Sequence, residues 1–524
     1  LKIMTKIREV LARMGLISKI NSLADVKGLM INEEEYSRVQ NWLDAYRGDA
    51  DWQHYTWMDN YGVDHSEKRK TLNMPKTVAH EMASLVFNNK CLINVTPITE
   101  KVKDKTAPED LDNPAHLFVQ NVLNDNYFYY NAQRYLEYMF ATGGMVIRGY
   151  VRDGKVKLRF ATADAFIPIS EDANGVTECV IVDTFKKQGD YYTFLEWHLD
   201  KDSSYVIKNE LYKSTNGSDI GVKVSLNEVY QGLEEETVYL KSQYTVPTFV
   251  YVKPNIANNI NLTSPLGIPL IANASDTLKQ LDLLYDMLYQ ENEMGRRRVN
   301  IPSSMIKLKL NQQTGEMKRQ VDWRDRAYQV FKSDGVENAK PDDITLPLRD
   351  EQMLNAINGL LNILAGQTGF SAGTFTMTQS GEMKTATEVI SENSKTHKSK
   401  ETHETVIGDA LKRVVQMVVE LGRYSSADYS GPTDVNVSIN FDDSVAKDRN
   451  QDLDYYMRVT NNQQLMPLSE AIKRFNGITD VEAEDYVQRI KEENADEGDI
   501  EDVLGNEEVN DNADTGATKP KDPK

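Results

Sequence analysis

Cysteine is nearly absent: Cys91 and Cys179 are the only two in 524 residues. Two thiols cannot build a disulfide framework or a four-thiolate zinc site, and such sparse use fits a reducing compartment. No run approaches the roughly 20 apolar residues that cross a bilayer, so no membrane association is expected. Positive charge is short as well, with 60 basic against 80 acidic residues and a net charge of −20. Tight, sequence-independent binding to nucleic acid needs clustered Lys and Arg, and this balance opposes it. It does not oppose a surface that DNA touches without being held.

Catalytic and cofactor signatures are missing too. His80-Glu81 and His403-Glu404 open like a zinc-protease helix, but Ser84 and Ile407 stand where the second histidine must fall. There is no Gly-x-x-x-x-Gly-Lys-Ser/Thr phosphate loop and no Gly-x-Ser-x-Gly elbow. Gly366, Gly369 and Gly373 lie between two helical patterns, whereas a dinucleotide fingerprint joins a strand to a helix. Asp442 and Asp443 are adjacent as they leave a strand pattern, so their carboxyls point apart. Trp52, Tyr55 and Trp57 read as a packed satellite cluster within an aromatic loop over 51–66. No metal or cofactor is expected, and the chain reads as a structural or assembly protein rather than an enzyme.

What is present is an α+β pattern. The first residues read as an amphipathic helix rather than a signal peptide. Helical spacing follows over 31–50, 73–90 and 115–141, with Gly143-Gly144 as a stop. Residues 145–252 alternate apolar and polar, with turn signals at Asp153-Gly154, Asn174-Gly175, Gly189-Asp190 and Asn216-Gly217. They predict an antiparallel meander of six to eight strands. Helix resumes from Ser264-Pro265 to about Arg297. A mixed insert follows, with a β-like Met305 to Leu310, and helix returns at Leu348-Arg349-Asp350. Residues 366–384 hold four glycines, four threonines and no proline, which predicts a flexible loop. A long helix follows to about 422, polar all round over Ser391 to Thr405 and apolar beyond. Val435 to Phe441 reads as a strand, and 452–491 as helical. Residues 492–524 carry 12 acids and 3 bases, a net −9, and predict a disordered tail; the remaining body carries −11.

Four stretches in this order resemble the bacteriophage portal protein family, in the branch typical of long-tailed phages of Gram-positive hosts. They are Leu72-Asn73-Met74-Pro75-Lys76 running to Val86-Phe87-Asn88; Ser264-Pro265-Leu266-Gly267 ahead of the Asp282/Asp286/Glu291 helix; Gly369-Phe370-Ser371-Ala372-Gly373-Thr374-Phe375 with Thr385-Ala386-Thr387-Glu388-Val389; and Asn440-Phe441-Asp442-Asp443-Ser444. The resemblance implies a portal fold. A wing of helices plus β meander would span 1–270, completed by 423–447. A first stem helix would take 271–297, a small α/β clip 298–348 and a second stem helix 349–365. A tunnel loop would span 366–384, a long kinked helix 385–422 and a helical crown 448–491.

The resemblance also implies a function: a ring of about twelve copies at one capsid vertex of the virion, assembled in the host cytoplasm. Double-stranded DNA would enter and leave through the ring without sequence-specific contacts. Expected partners are further copies of the chain, the terminase large subunit, a head-completion adaptor and the major capsid or scaffold protein. Gly369, Ser371, Thr374, Thr376, Thr378, Gln379 and Lys384 would face DNA from the tunnel loop; Lys384 reads equally well as pairing with Glu382 or Glu388. Arg296, Arg298, Lys307, Lys309, Lys318, Arg319 and Arg324 would form a clip docking surface, although ordinary ion pairs between copies account for any one of them. The competing readings are another capsid-associated structural protein, or a nucleic-acid- or carbohydrate-processing enzyme using Asp442 and Asp443.

Overall fold

The computed structural model describes residues 23, 26, 31–59, 61–88, 90–98, 113–173, 175–295, 299–302, 308–310, 317–319, 328–331, 342–343, 347–377, 393–426, 428–441, 455–462, 466–476, 483–484 and 486–491. The expected helix at the start, Asp442 and Asp443, and the acidic segment 492–524 lie outside them. The chain divides into a large unit, Leu1–Pro97 with Leu111–Ala446, and a small one, Ile98–Asp110 with Lys447–Lys524.

The large unit opens with helix α1 (Glu33–Arg47), capped at its start by the Asn32 side chain and stopped by Gly48 at φ 71°. The expected aromatic loop over 51–66 is instead a hairpin of β1 (His54–Met58) and β2 (Asp64–Lys68). Alternation was hidden there because both faces of the hairpin are wet. Helix α2 (Met74–Val86) follows, then β3 (Leu92–Pro97), a strand that the periodicity did not reveal. The single helix expected over 115–141 is two, α3 (Pro114–Asp125) and α4 (Phe128–Thr142). Tyr127 breaks it at φ 49°, a left-handed turn that no hydrophobic period can signal.

Among the described residues of 145–252 there are nine strands, not six to eight, and they form two sheets. In one, β4 (Met145–Arg152) pairs with β5 (Lys155–Thr162) and with β12 (Phe249–Val252). The tight β4–β5 turn uses Asp153 and Gly154 at φ 54° and 74°, as a right-twisted hairpin requires. The other sheet runs β10 (Val222–Val224), β9 (Ser204–Ser214), β8 (Asp190–Asp200), β7 (Gly175–Lys187), β6 (Phe166–Asp172), with β11 (Glu236–Leu240) also on β9.

Beyond the sheets, helix begins at Ser275 rather than Ser264, as α5 (Ser275–Met294). Within the insert, β13 (Val299–Pro302) lies between β16 (Tyr328–Phe331) and β17 (Asp342–Asp343), and β14 (Leu308–Leu310) pairs with β15 (Met317–Arg319). Helices α6 (Asp350–Gln367) and α7 (Ser394–Leu421) follow, then β18 (Val435–Asn440), which pairs antiparallel with β3.

The core gathers on α7. Its apolar half, with Ile407, Leu411, Val414 and Val418 at helical spacing, is buried and packs against β4, β12, β18, α2 and α3. Gly149 in β4 is a glycine because a Cβ there would stand 2.7 Å from the Leu421 side chain. A second close approach joins the end of α4 to the segment before α5. A Cβ on Gly143 would lie 2.5 Å from the Gly267 carbonyl oxygen, and one on Gly267 would lie 2.3 Å from the Gly143 oxygen. The Tyr251 hydroxyl accepts from the Gly267 N–H at 3.1 Å, and Leu270 N–H donates to the Phe140 carbonyl at 3.1 Å. The Ser264-Pro265-Leu266-Gly267 stretch therefore sets how α5 leaves the sheets.

In the small unit, α8 (Leu468–Asn476) buries Ala471, and the Phe475 ring meets Tyr456 edge-on at 6.1 Å.

Backbone against backbone leaves no room to yield at the α4 end. Gly143→Ala and Gly267→Ala should each destabilise the large unit by about 1–3 kcal/mol, the cost of an overpacked contact. A denaturant midpoint unchanged within error in both would refute the contact.

Candidate channel segment

Helices α5 and α6 pack on each other through Leu278, Leu281, Ile357, Leu361 and Leu364, all buried. Twenty residues give α5 a length of about 30 Å. The insert leaves and returns between these helices at one clamped point. Glu291 near the end of α5 accepts from Arg349 ahead of α6: from its N–H at 3.3 Å, Nε at 3.1 Å and Nη2 at 2.8 Å. This bidentate guanidinium holds the Glu291 carboxyl below the usual carboxylate range. Beside it, a Cβ on Gly295 would fall 2.0 Å from the Leu348 side chain.

Flanking that leucine stripe, α5 carries two buried carboxylates one turn apart. Asp282 accepts from Trp52 Nε1 and Gln53 Nε2, each at 2.9 Å, and from Thr71 Oγ1 at 2.6 Å. Asp286 accepts from Lys70 N–H at 3.0 Å and Gln290 Nε2 at 2.8 Å. Acids that the sequence placed on this helix thus root the β1–β2 hairpin. Of the expected aromatic cluster only Trp52 packs against the core; Trp57 is exposed and stacks on His65 at 4.6 Å.

The Gly/Thr segment departs from its expectation. Residues 366–367 are the last of α6, and 368–377 fold into a compact knot rather than a flexible loop. Thr368 caps α6 through its N–H and Oγ1 to the Leu364 carbonyl. Gly369, at φ 88°, accepts from Ser399 Oγ at 2.7 Å. Phe370 is fully buried and meets Phe375 edge-on at 5.0 Å. Ser371 is buried, its N–H donating to Thr396 Oγ1 at 2.9 Å and its Oγ accepting from Thr396 N–H at 3.2 Å. That hydroxyl is occupied within the chain, so it does not face an open channel.

Thr374 is exposed and Thr376 half-buried, and each hydroxyl donates to a backbone carbonyl of the knot, of Ser371 and Gly373 respectively. Two asparagines four residues apart on α6 hold the far side. Asn362 Oδ1 accepts from Gly373 N–H at 2.7 Å, and Asn358 Oδ1 from Met377 N–H at 2.9 Å. Their i,i+4 spacing was the available signal. Half-buried Asn358 and exposed Asn362 carry no hydrophobic period, so nothing in the spacing of apolar residues marks them. Thr378, Gln379 and Lys384 lie outside the described residues.

The polar half of α7 turns a face inward. Thr396, Lys400, His403 and Glu404 are buried there, with Lys400 and Glu404 paired at 3.1 Å. His403 Nδ1 accepts from Asn255 N–H at 3.2 Å, which places a neutral ring's proton on Nε2, and the ring stands edge-on to Phe140 at 5.0 Å. Burial pulls the His403 pKa down to about 4. His80, the other histidine of a failed zinc motif, is a surface residue 2.9 Å from Glu137. Among the described residues no group of three His, Cys, Asp or Glu could hold a metal ion, and no helix is long and apolar enough to cross a membrane.

Of the basic residues expected on the insert, Lys309 lies opposite Lys318 in the β14–β15 register, and Arg319 opposite Leu308. Arg296, Arg298, Lys307 and Arg324 lie outside the described residues.

A family model described as "Phage portal protein, SPP1 Gp6-like" matches residues 29–499. The chain belongs to that family. As portal family members are structural proteins, the missing catalytic constellations have a place in this reading. Among solved structures, the chain is similar to the neck of an empty GTA particle computed with C6 symmetry, at 8% identity and TM-score 0.38, covering 77% of this chain and 88% of that one. It is also similar to the neck of a native GTA particle computed with C12 symmetry, at 9% identity and TM-score 0.31, covering 76% and 98%. No curated protein matches it.

Two predictions follow from the buried polar groups of this segment. Asp282→Ala strands three donors, Gln53 buried and Trp52 and Thr71 half-buried, and should cost about 3 kcal/mol, with early proteolytic cleavage near 51–72; cleavage and stability like the parent's would refute the anchoring role. His403 binds a proton in the unfolded chain below its ordinary value of 6.5 but in the folded chain only near 4. Stability should therefore fall as the pH drops from 6.5 to 4 and level off below, by about 3 kcal/mol from this group. His403→Gln should make that part of the profile shallower, with buried His198, its pKa pulled down to about 3, supplying the rest of the slope; a parallel profile would show that His403 does not contribute.

Proposed function

We propose that the chain is the subunit of a closed ring of about twelve copies at one capsid vertex, the conduit through which double-stranded DNA is packaged and ejected. The observation that carries this reading is family membership over residues 29–499, joined to the paired helices α5 and α6 with an insert clamped at one end. Twelve helices of about 10 Å width on an inner circle give a centre-line diameter of about 12 × 10/π, roughly 38 Å, and a bore near 28 Å. A B-form duplex, roughly 20 Å across, passes such a bore.

In this arrangement α5 and α6 are the stem. The insert is the clip, meeting the terminase large subunit and later a head-completion adaptor with its basic residues. The 448–491 segment is the crown. The knot at 368–377 is a fixed base, so contact with DNA falls to the residues after it, Thr378, Gln379 and Lys384 among them. The acidic balance of the chain suits a wall that DNA slides past, because few counterions are released on contact.

Light scattering on purified protein should give about 715 kDa, twelve times the 59.6 kDa chain. One to four chains would point to the enzyme reading, and a closed particle without a bore in negative stain to another capsid component. Deleting 378–384 should leave the mass unchanged and reduce DNA packaging at least tenfold; normal packaging would remove these residues from the conduit.

A further inference from the structure

The β1–β2 hairpin has a firm root and an uncovered tip. At the root, Trp52, Gln53, Lys70 and Thr71 bond to Asp282 and Asp286, and Arg69 N–H donates to the Gln53 carbonyl at 2.8 Å. At the tip, Asp59 Oδ1 accepts from the N–H of Tyr61 at 2.8 Å and of Val63 at 2.9 Å, while its Oδ2 meets His65 Nε2 at 3.0 Å. The turn is therefore built. Yet Trp57, Met58 and Val63 are exposed, and Tyr61 is 92% exposed. Two strands wet on both faces are marginal by themselves. Large apolar side chains gathered on a held protrusion mark a contact surface, and Trp and Tyr are the residues that carry binding energy.

A second surface has the matching chemistry. At the start of α4, Tyr127 just before the helix stands beside Tyr130 and Arg134, which are four apart on it, with Tyr127 75% and Tyr130 69% exposed. Tyr127 is held at φ 49°, a conformation that a tyrosine seldom adopts. Arg134 lies over the Tyr130 ring at 5.6 Å and the Tyr135 ring at 5.3 Å. It stands at a cleft of 340 Å³ between α4 and the two sheets, which Arg148, Arg159 and Asp183 also line. Arg148 and Arg159 sit directly opposite each other in the β4–β5 register, like charges that cost stability unless something answers them. Arg148 pairs with Glu196 and Arg159 with Asp183.

Charge separates the two surfaces by sign. The hairpin 54–68 carries Asp59, Asp64, Glu67 and Lys68, a net −3 + 1 = −2. The lining of the cleft carries three arginines and Asp183, a net +3 − 1 = +2, or +1 when Glu196 beneath is included. A ring needs two different patches on each copy, because a head-to-tail interface is not self-complementary.

We propose that the tip of the β1–β2 hairpin seats on the Tyr127/Tyr130/Arg134 face of a neighbouring copy, so that the rooted hairpin is a clasp between adjacent subunits. This rests on the ring reading above. Glu67, on the same face of the hairpin as Trp57, faces Arg134 across the contact, while Trp57 and Tyr61 cover the exposed tyrosines. Because the root is fixed to α5, the clasp ties each copy's α5 to the α4 of the next.

The test uses the full chain. Tyr61→Cys with Tyr130→Cys, oxidised after assembly, should give a ladder of covalent multimers on a denaturing gel. Neither single variant should give it, since Cys91 and Cys179 are buried. The combined variant Trp57→Ala, Met58→Ser, Tyr61→Ala should raise the concentration at which rings dissociate at least 100-fold, with circular dichroism and the unfolding midpoint of the chain unchanged. Arg134→Glu should raise it about tenfold, and Glu67→Lys in that background should restore it in part. Wild-type rings with no ladder, or tip variants that assemble as the parent does, would overturn the clasp and leave the ring standing. A wild-type chain that never exceeds the mass of one copy would overturn both.

Discussion

Two carboxylates one helical turn apart, Asp282 and Asp286, decide how the N-terminal segment meets α5. Each is buried, and each is answered by donors from 52–71 or from its own helix. A buried charge is tolerated only when its lone pairs are met, so this junction admits one arrangement rather than a family of them. Helix α5 is consequently held from two sides. Leucines press it on α6, and hydrogen bonds fasten it to the hairpin root. Polar anchoring supplies a register that apolar packing alone would leave free to slide, as the proposed role of α5 in lining a conduit requires.

The same logic governs the approach to α5 and the turn after α6. Gly143 and Gly267 let two backbones meet where any side chain would separate them, which sets the exit of the chain from the sheets. After α6, the threonines and serines of 368–377 spend their hydroxyls on the chain itself. Ser371 and Thr396 bond reciprocally, and Phe370 is driven into the core. What looks like a flexible linker by composition is a folded pedestal.

Helix α7 unites these parts. Its apolar half fills the centre of the large unit, and its polar half docks the pedestal and the segment around Asn255 through Thr396, Ser399 and His403. Neutral His403 is suited to that place. A charged residue would have to be paired, and an apolar one would leave the Asn255 N–H without an acceptor. One helix thus joins the sheets, the helical layer and the segment proposed to approach DNA.

From residues alone, the α+β character, the helices with a clear apolar stripe, the β4–β5 turn and the family resemblance were all legible. These depend on local spacing and on turn chemistry that neighbours in sequence supply. The absence of catalytic motifs was equally plain. Four features required the folded chain: the hairpin within 51–68, the strand over Leu92–Pro97, the break at Tyr127 and the knot at 368–377. Each is stabilised by residues distant in the chain, by Asp282 for the hairpin root, β18 for β3, Val156 and Leu158 bonded to Asn126 for the break, and Thr396 for the knot. A carboxylate over two hundred residues away can satisfy a tryptophan N–H as well as a neighbour can, and no periodicity records such a bond.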